Sequence, residues 1–403
     1  MAGLSSTGYI VISLAVGLSF GIFLQKARFC FVSAFRDFVG FKDTRVLKGV
    51  LAGVFVLTIF WSFQATFGFF RGFWTPMWGL GSFVGGLIFG LGMTYAGGCA
   101  SGTLYRAGQG YIQFWLVLAF MFVGYILFAF TFPFFEVHYF GRLNPFEGTT
   151  LYLHFPWPPA VTGALAVIVG LLAYAYVVGR STIPNDPEEG TPVGTPARAG
   201  VVPTAGGPLR AVEVGLRQLI DGTLAHLRAF VTDDRSLKKR LKDPWDARTA
   251  GVGMAVVAAI WFWVHGHWAI TGAEAQWAGW LLSQAGVGVE NVRYWGSILF
   301  IDANIAITVD MLMIASLMVG SFVAAWFSGD FRIRTPNRNR LPNYVIGGLM
   351  MGVGSRLAAG CNIANLFSGV ALLSVHSVLA GLGILVGVYI MTRWMYREVG
   401  CAL

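Results

Sequence analysis

Apolar residues run through this chain in long, nearly uncharged stretches separated by polar breaks. Nine stretches stand out, at 9–24, 49–70, 78–95, 111–132, 160–178, 249–265, 297–327, 343–357 and 370–392. The segment 111–135 carries no charged side chain. Runs beyond roughly 18 apolar residues are what a membrane-crossing helix needs. The pattern therefore predicts an integral membrane protein with about nine transmembrane helices. The stretch 297–327 is long for one crossing of ~20 residues, so a tilted or broken helix is expected there. One region departs from the pattern. From 183 to 208 the chain is rich in Pro, Gly, Glu and Thr, a flexible-linker composition. The following 209–230 has apolar residues at helical spacing, as a helix lying on a membrane surface would.

Charge gives these stretches a direction. Basic residues gather in a few loops: Lys26, Arg28, Arg36, Lys42, Arg45 and Lys48 in the first; Arg235, Lys238, Lys239, Arg240 and Lys242 after the linker; then Arg332, Arg334, Arg338 and Arg340. Cytoplasmic loops carry such excess, which puts the amino terminus outside and the carboxyl terminus inside. The loops 135–159 and 267–293 then fall outside, the second rich in interfacial Trp (Trp268, Trp277 and Trp280). The first apolar run lacks a basic n-region and reads as a retained helix, not a signal peptide.

Composition agrees. The chain is 56% hydrophobic and only 12% charged, against about 25% charged in soluble domains. The net charge of +9 is explained by the loops and does not point to nucleic acid. The 53 glycines allow close helix approach and non-helical backbone inside a bundle. Four cysteines, Cys30, Cys99, Cys361 and Cys401, are too few and too scattered for a disulfide framework or a zinc site. No metal cluster and no nucleophile–base pair is visible, so neither an enzyme nor a cofactor is expected.

One segment occurs twice. Residues 85–99 read GGLIFGLGMTYAGGC, and residues 347–361 read GGLMMGVGSRLAAGC, without a gap. Charge makes the first copy enter moving inward and the second moving outward. The expected fold is therefore an all-α membrane protein in two inverted repeats with central re-entrant Gly-Cys loops. Residues 1–179 form the first repeat, 180–247 a cytoplasmic linker and 248–403 the second. Inverted repeats place their binding site between them near the midplane, lined by broken helices.

The glycines at Gly98 and Gly360 let backbone leave the helix and expose amide N–H groups, the ingredients of an anion site. Arg106 and Arg356 lie near the two turns, placed to attract an anion or to snorkel. Asn362 and Asn365 follow the second cysteine and offer hydrogen bonds. Asp302 and Asp310 are candidates for proton or cation coupling. His265 and His267 read as interfacial, His376 as isolated, and Cys401 as incidental. A soft sulfur with a weak S–H donor suits a substrate containing sulfur or selenium. A lone buried cysteine reads first as a small hydrophobe, and it is the pair at equivalent repeat positions, each preceded by Gly, that favours a site.

The motifs Arg28-Phe29-Cys30-Phe31, Gly97-Gly98-Cys99-Ala100-Ser101-Gly102 and Ala359-Gly360-Cys361-Asn362 resemble the YeeE/YedE family of sulfur-transport membrane proteins. The resemblance covers both hydrophobic halves. It implies an hourglass-shaped permease of the bacterial inner membrane that takes up thiosulfate, with thiols passing the ion along by S–H···S contacts. That role falls on Cys30, Cys99 and Cys361. The substrate-binding set expected here is Cys30, Cys99, Cys361, Gly98, Gly360, Asn362 and Arg106. Longer members are associated with selenium metabolism, and small sulfur-carrier proteins act beside the family as cytoplasmic partners. A membrane thiol-redox protein and a membrane scaffold acting through 180–248 are the competing readings. The first is disfavoured by the absence of CxxC and paired haem histidines. Cys99 and Cys361 are expected to face one another near the middle of the membrane, with Cys30 close by.

Overall fold

The computed structural model describes residues 6–41, 43–69, 72–180, 208–233, 242–268, 270–296, 300–301, 304–305 and 307–398. Thirteen main helices are numbered here in chain order. They are α1 (Ser6–Lys26), α2 (Phe31–Phe41), α3 (Arg45–Thr66), α4 (Leu80–Ala96), α5 (Ala100–Gly108), α6 (Ile112–Phe135) and α7 (Pro159–Arg180). From residue 208 on follow α8 (Pro208–Val231), α9 (Ala247–Val264), α10 (Ile270–Gln284), α11 (Val309–Ser328), α12 (Leu341–Leu357) and α13 (Val375–Glu398). A π-helical segment, Ile363–Gly369, joins α12 to α13. The remaining elements are short helical turns and a two-residue antiparallel pair, Phe300–Ile301 with Asn304–Ile305.

The helix ends have local causes. Gly97, at φ 76°, closes α4 in the left-handed conformation that costs glycine nothing. Thr308 caps α11 by accepting from the Met311 N–H, and Asp246 caps α9 by accepting from the Arg248 N–H. In the loop before α3, burial raises the Asp43 carboxyl, but its hydrogen bonds from Arg45 outweigh this and hold it below its usual range.

At the centre, α4 packs on α12 and α13, and α12 packs on α6. Around them α1 packs on α11, and α9 on α3. The α4–α12 crossing rests on the repeated glycines. A Cβ on Gly92 would lie 2.7 Å from the Met350 side chain, and one on Gly354 would lie 2.7 Å from the Phe89 backbone. One on Gly85 would meet Leu357 and Ala358, and one on Gly347 would meet Ala96. Each contact thus has its counterpart at the matching position of the other segment. Close backbone approach of this kind is the usual glue of helices in lipid, where burial of apolar surface drives nothing.

Among the described residues, eight helical stretches are long and apolar enough to cross a membrane. The stretch 343–357, expected as one of about nine spans, forms the 17-residue helix Leu341–Leu357 and is not among the eight. In the long stretch 297–327, where a tilted or broken helix is expected, Thr308 starts a new helix, and α11 covers Val309–Ser328. Two expected loops contain helices. Within the basic segment 25–48, α2 buries Phe31, Val32 and Ala34. The segment 267–293 is not an external interfacial loop, since α10 runs through it and Trp268 and Trp295 are fully buried. The indole N–H groups of Trp295 and Trp277 donate to the Ala275 and Met311 carbonyls inside the protein, so these rings serve packing. Helix α8 lies against α7 and α9, with Leu219 buried beside Tyr174.

Candidate functional site

The chain makes one turn three times. Cys30, Cys99 and Cys361 each stand just before a short helical segment, namely α2, α5 and Ile363–Gly369. Two residues before each, the backbone is left-handed: Arg28 at φ 50°, Gly97 at 76° and Ala359 at 48°. Each cysteine carbonyl then accepts the N–H four residues on, from Ala34 at 3.0 Å, Thr103 at 2.7 Å and Asn365 at 2.8 Å. A left-handed non-glycine residue costs about 1–2 kcal/mol, yet Arg28 and Ala359 hold that conformation. Strain kept at equivalent places points to use. All three thiols are fully buried.

Two of them touch. Cys30 Sγ and Cys99 Sγ are 3.7 Å apart. Cys99 caps α5, its sulfur accepting the Gly102 N–H at 3.3 Å with Ser101 Oγ at 3.4 Å. Gly102 leaves the space that both sulfurs occupy, because a Cβ there would lie 2.8 Å from Cys30 Sγ and 3.2 Å from Cys99 Sγ. We expect Gly102→Ala to push the thiols apart and to slow oxidative Cys30–Cys99 cross-linking several-fold, as read by mass spectrometry after mild oxidation. Gly98 is packed just as tightly, with a Cβ there falling 2.6 Å from the Phe114 ring.

A cavity of about 440 Å³ opens beside this pair, and five arginines line it: Arg28, Arg36, Arg106, Arg334 and Arg340. The acidic residue on its wall is Asp330. Its lining includes Arg28 and Gly97, the left-handed residues before Cys30 and Cys99. Arg106 anchors the turn, donating from Nη1 to the Gly97 carbonyl at 2.8 Å and from Nε to Tyr105 Oη at 3.0 Å. At about 30 Å³ per water, the cavity admits a small anion with part of its hydration shell. The field of the arginines favours anions over cations.

Among the described residues, the sulfur–sulfur contact recorded is that of Cys30 with Cys99, and Cys361 has other neighbours. The backbone of Ile363, Ala364 and Thr271 lies around it. Asn362 donates from Nδ2 to Met93 Sδ at 3.2 Å, and its Oδ1 is buried without a partner. Beside Gly360, Trp74 stacks on His267 with ring centroids 4.0 Å apart. Both His267 ring nitrogens are buried without hydrogen-bond partners, so this histidine is internal and not interfacial. Nor is His376 isolated. Its ring nitrogens lie 2.9 Å from Ser82 Oγ, the Met77 carbonyl and the Ala358 carbonyl. Among the described residues no three His, Cys, Asp or Glu side chains converge as metal ligands would. The chemistry the site offers is thiol, amide and guanidinium.

The model of the sulphur transport family matches residues 26–390. The chain belongs to this family. It is 29% identical over 388 residues to a protein of Spirochaeta thermophila named thiosulfate transporter TsuA, covering 96% of this chain and 98% of that one. A protein of the same name from Escherichia coli is 26% identical over 365 residues, 88% of this chain and 86% of its own. The probable transporter YedE of Escherichia coli is 30% identical over 152 residues, 37% of this chain and 38% of its own. Family membership and the apolar helices together make this sulphur transport protein a multi-pass membrane protein.

Glu274 and Tyr125 escaped the sequence reading, as did Thr271 and Tyr294, the partners of Arg356. Glu274, fully buried on α10, accepts a hydrogen bond from Tyr125 Oη at 2.5 Å. Arg356 donates to Thr271 Oγ1 at 2.6 Å and to Tyr294 Oη at 3.1 Å. Gly102 lay within a quoted motif, but nothing in sequence says that two sulfurs need its missing side chain. For Glu274 a signal existed, since it is the only charged residue in 268–289. Read as a loop, that stretch made an acid look ordinary. Asp310 pairs with His265 at 3.4 Å and is part exposed, whereas Asp302 and Cys401 lie outside the described residues.

Proposed function

We propose that this chain is a permease that carries thiosulfate inward across a bacterial inner membrane, along a path lined by Cys30, Cys99 and Cys361. The observation that carries the reading is the buried Cys30–Cys99 contact beside an arginine-lined cavity. The arginines gather the anion, and the thiols meet it where water is excluded. An S–H group donates weakly but is soft and polarizable, which suits the terminal sulfur of thiosulfate better than an oxygen-only anion. The names of the relatives support the same substrate.

In this reading the two halves are inverted repeats, supported by the matched glycine contacts of α4 and α12 and by the paired packing of α1 on α11 and α9 on α3. Helix α5, with nine residues, spans about 14 Å at 1.5 Å per residue. It is too short to cross a ~30 Å core, as a re-entrant element would be. The arginine cavity opens among the basic loops, which makes it the cytoplasmic exit. Gly98, Gly360, Asn362 and Arg106 shape the turns the anion passes, and a small sulfur-carrier protein receives it at that face.

The test is uptake of radiolabelled thiosulfate by proteoliposomes holding the purified chain. Saturable uptake above that of empty liposomes is expected, with sulfate competing poorly. Uptake no greater than in empty vesicles, from protein that runs as a single folded species, overturns the reading. Stronger competition by selenite than by unlabelled thiosulfate reassigns the substrate to selenium. A Cys30–Cys99 disulfide that accumulates with turnover favours a thiol-redox protein instead.

A further inference from the structure

Glu274 sits on the inner face of α10 with no exposed surface. Its Oε2 accepts from Tyr125 Oη of α6, and its Oε1 is buried without a partner. No ion pair joins it to Arg356 of α12 among the described residues, although the field of that guanidinium reaches it. Arg356 spends its Nη groups on Thr271 and Tyr294, and its Nε is buried without a partner. Thr271, one turn before Glu274, holds Arg356 through its Oγ1 and lies beside Cys361. A carboxyl group, a guanidinium and the third cysteine therefore share one buried site.

A buried carboxylate with one oxygen unbonded is costly as an anion. A second negative charge beside it adds like-charge repulsion, which a partly screened environment leaves strong at short range. An anion arriving at Cys361 therefore favours a proton on Glu274. By reciprocity a proton on Glu274 favours the anion, to the same degree. We propose that Glu274 binds the proton that accompanies the anion past Cys361, so that this chain is a proton–anion symporter. The inference rests on the permease reading. The proton comes from the outer aqueous side, bonds to a carboxylate oxygen, and leaves to the cytoplasmic side with the anion. No electron moves.

Few other charged groups face this site. Helix α6 brings Tyr125, α12 brings Arg356, and Tyr294 is bonded to Arg356. The turn after α12 brings Cys361. Helix α11 carries Asp310 at its start, held by His265. Glu290, in the turn after α10, is exposed, and Arg106 of α5 is bonded to Gly97 and Tyr105.

The test is thiosulfate uptake into proteoliposomes with and without an inward proton gradient, with proton movement followed by a pH dye. For the unaltered chain, one unit of gradient raises uptake up to about tenfold, and protons enter with the anion. Glu274→Gln brings the ratio of the two rates to near one, Glu274→Asp restores it, and Asp310→Asn leaves it high. Unaltered-chain uptake without proton movement overturns the proposal whatever the variants do. So does a Glu274→Gln ratio equal to that of the unaltered chain, or an Asp310→Asn ratio near one. No uptake at all by the unaltered chain sinks the permease reading itself, a separate result.

Discussion

Cys99→Ser should lower thiosulfate uptake by roughly ten- to a hundredfold while leaving the folded protein about as stable as before. The two halves of that expectation come from different jobs of one sulfur. As a cap, Cys99 accepts the Gly102 N–H at the start of α5. Serine is among the best capping residues, so the helix keeps its first turn, whereas alanine there costs about 1 kcal/mol. As a contact for the anion, the sulfur faces Cys30 across 3.7 Å. A hydroxyl is smaller and harder, and it cannot reproduce a sulfur–sulfur contact. Hydrogen bonds to a charged group in a dry site are worth about 1.5–3 kcal/mol, and each 1.4 kcal/mol is tenfold. Melting temperature in detergent reads the first job, and proteoliposome uptake reads the second. A Cys99→Ser protein that transports like the parent would reduce this thiol to a helix cap, and with it the path drawn through Cys30.

Much of this architecture is visible in the sequence because lipid leaves few options. Backbone must be satisfied within each segment, so apolar length alone exposes the spans. The repeated glycines in 85–99 and 347–361 predict close packing, and the α4–α12 crossing uses those very positions. The failures are equally physical. Hydropathy does not separate a short helix from a loop, so α2 and α10 were hidden in stretches with polar or aromatic residues. Tryptophan reads as interfacial until its N–H finds a carbonyl inside, as those of Trp277 and Trp295 do. The site was legible as a set of cysteines but not as a grouping. Spacing paired Cys99 with Cys361, because they match in the repeat. The fold pairs Cys99 with Cys30, and it sets Cys361 beside Thr271 on α10. Position in a repeat reports equivalence, not contact.

Arg106→Gln should raise the KM for uptake by about tenfold or more and leave its dependence on salt in place, whereas Arg106→Lys should fall between. The guanidinium belongs to α5, half-buried at the cavity wall, and it lies 5.1 Å from the Phe114 ring centroid and 5.5 Å from that of Tyr105. Its two bonds, to the Gly97 carbonyl and to Tyr105 Oη, tie the turn that carries Cys99. The charge and the tie are separable. Lysine keeps the charge but lacks the planar fork, so the turn loosens while the field remains. Glutamine loses the charge and, being shorter, the tie as well. Arg28, Arg36, Arg334 and Arg340 remain and share the long-range attraction, which salt screens over about 8 Å at physiological strength. Arg106 is distinct among them because it donates directly to the carbonyl two residues before Cys99. On the proposed path its loss therefore acts at the step where the anion would leave the wet cavity for the thiols, which raised salt reaches least. Uptake measured across a salt series separates the two contributions. An Arg106→Gln protein whose KM matches the parent at every salt concentration would mean that the anion does not pass this turn.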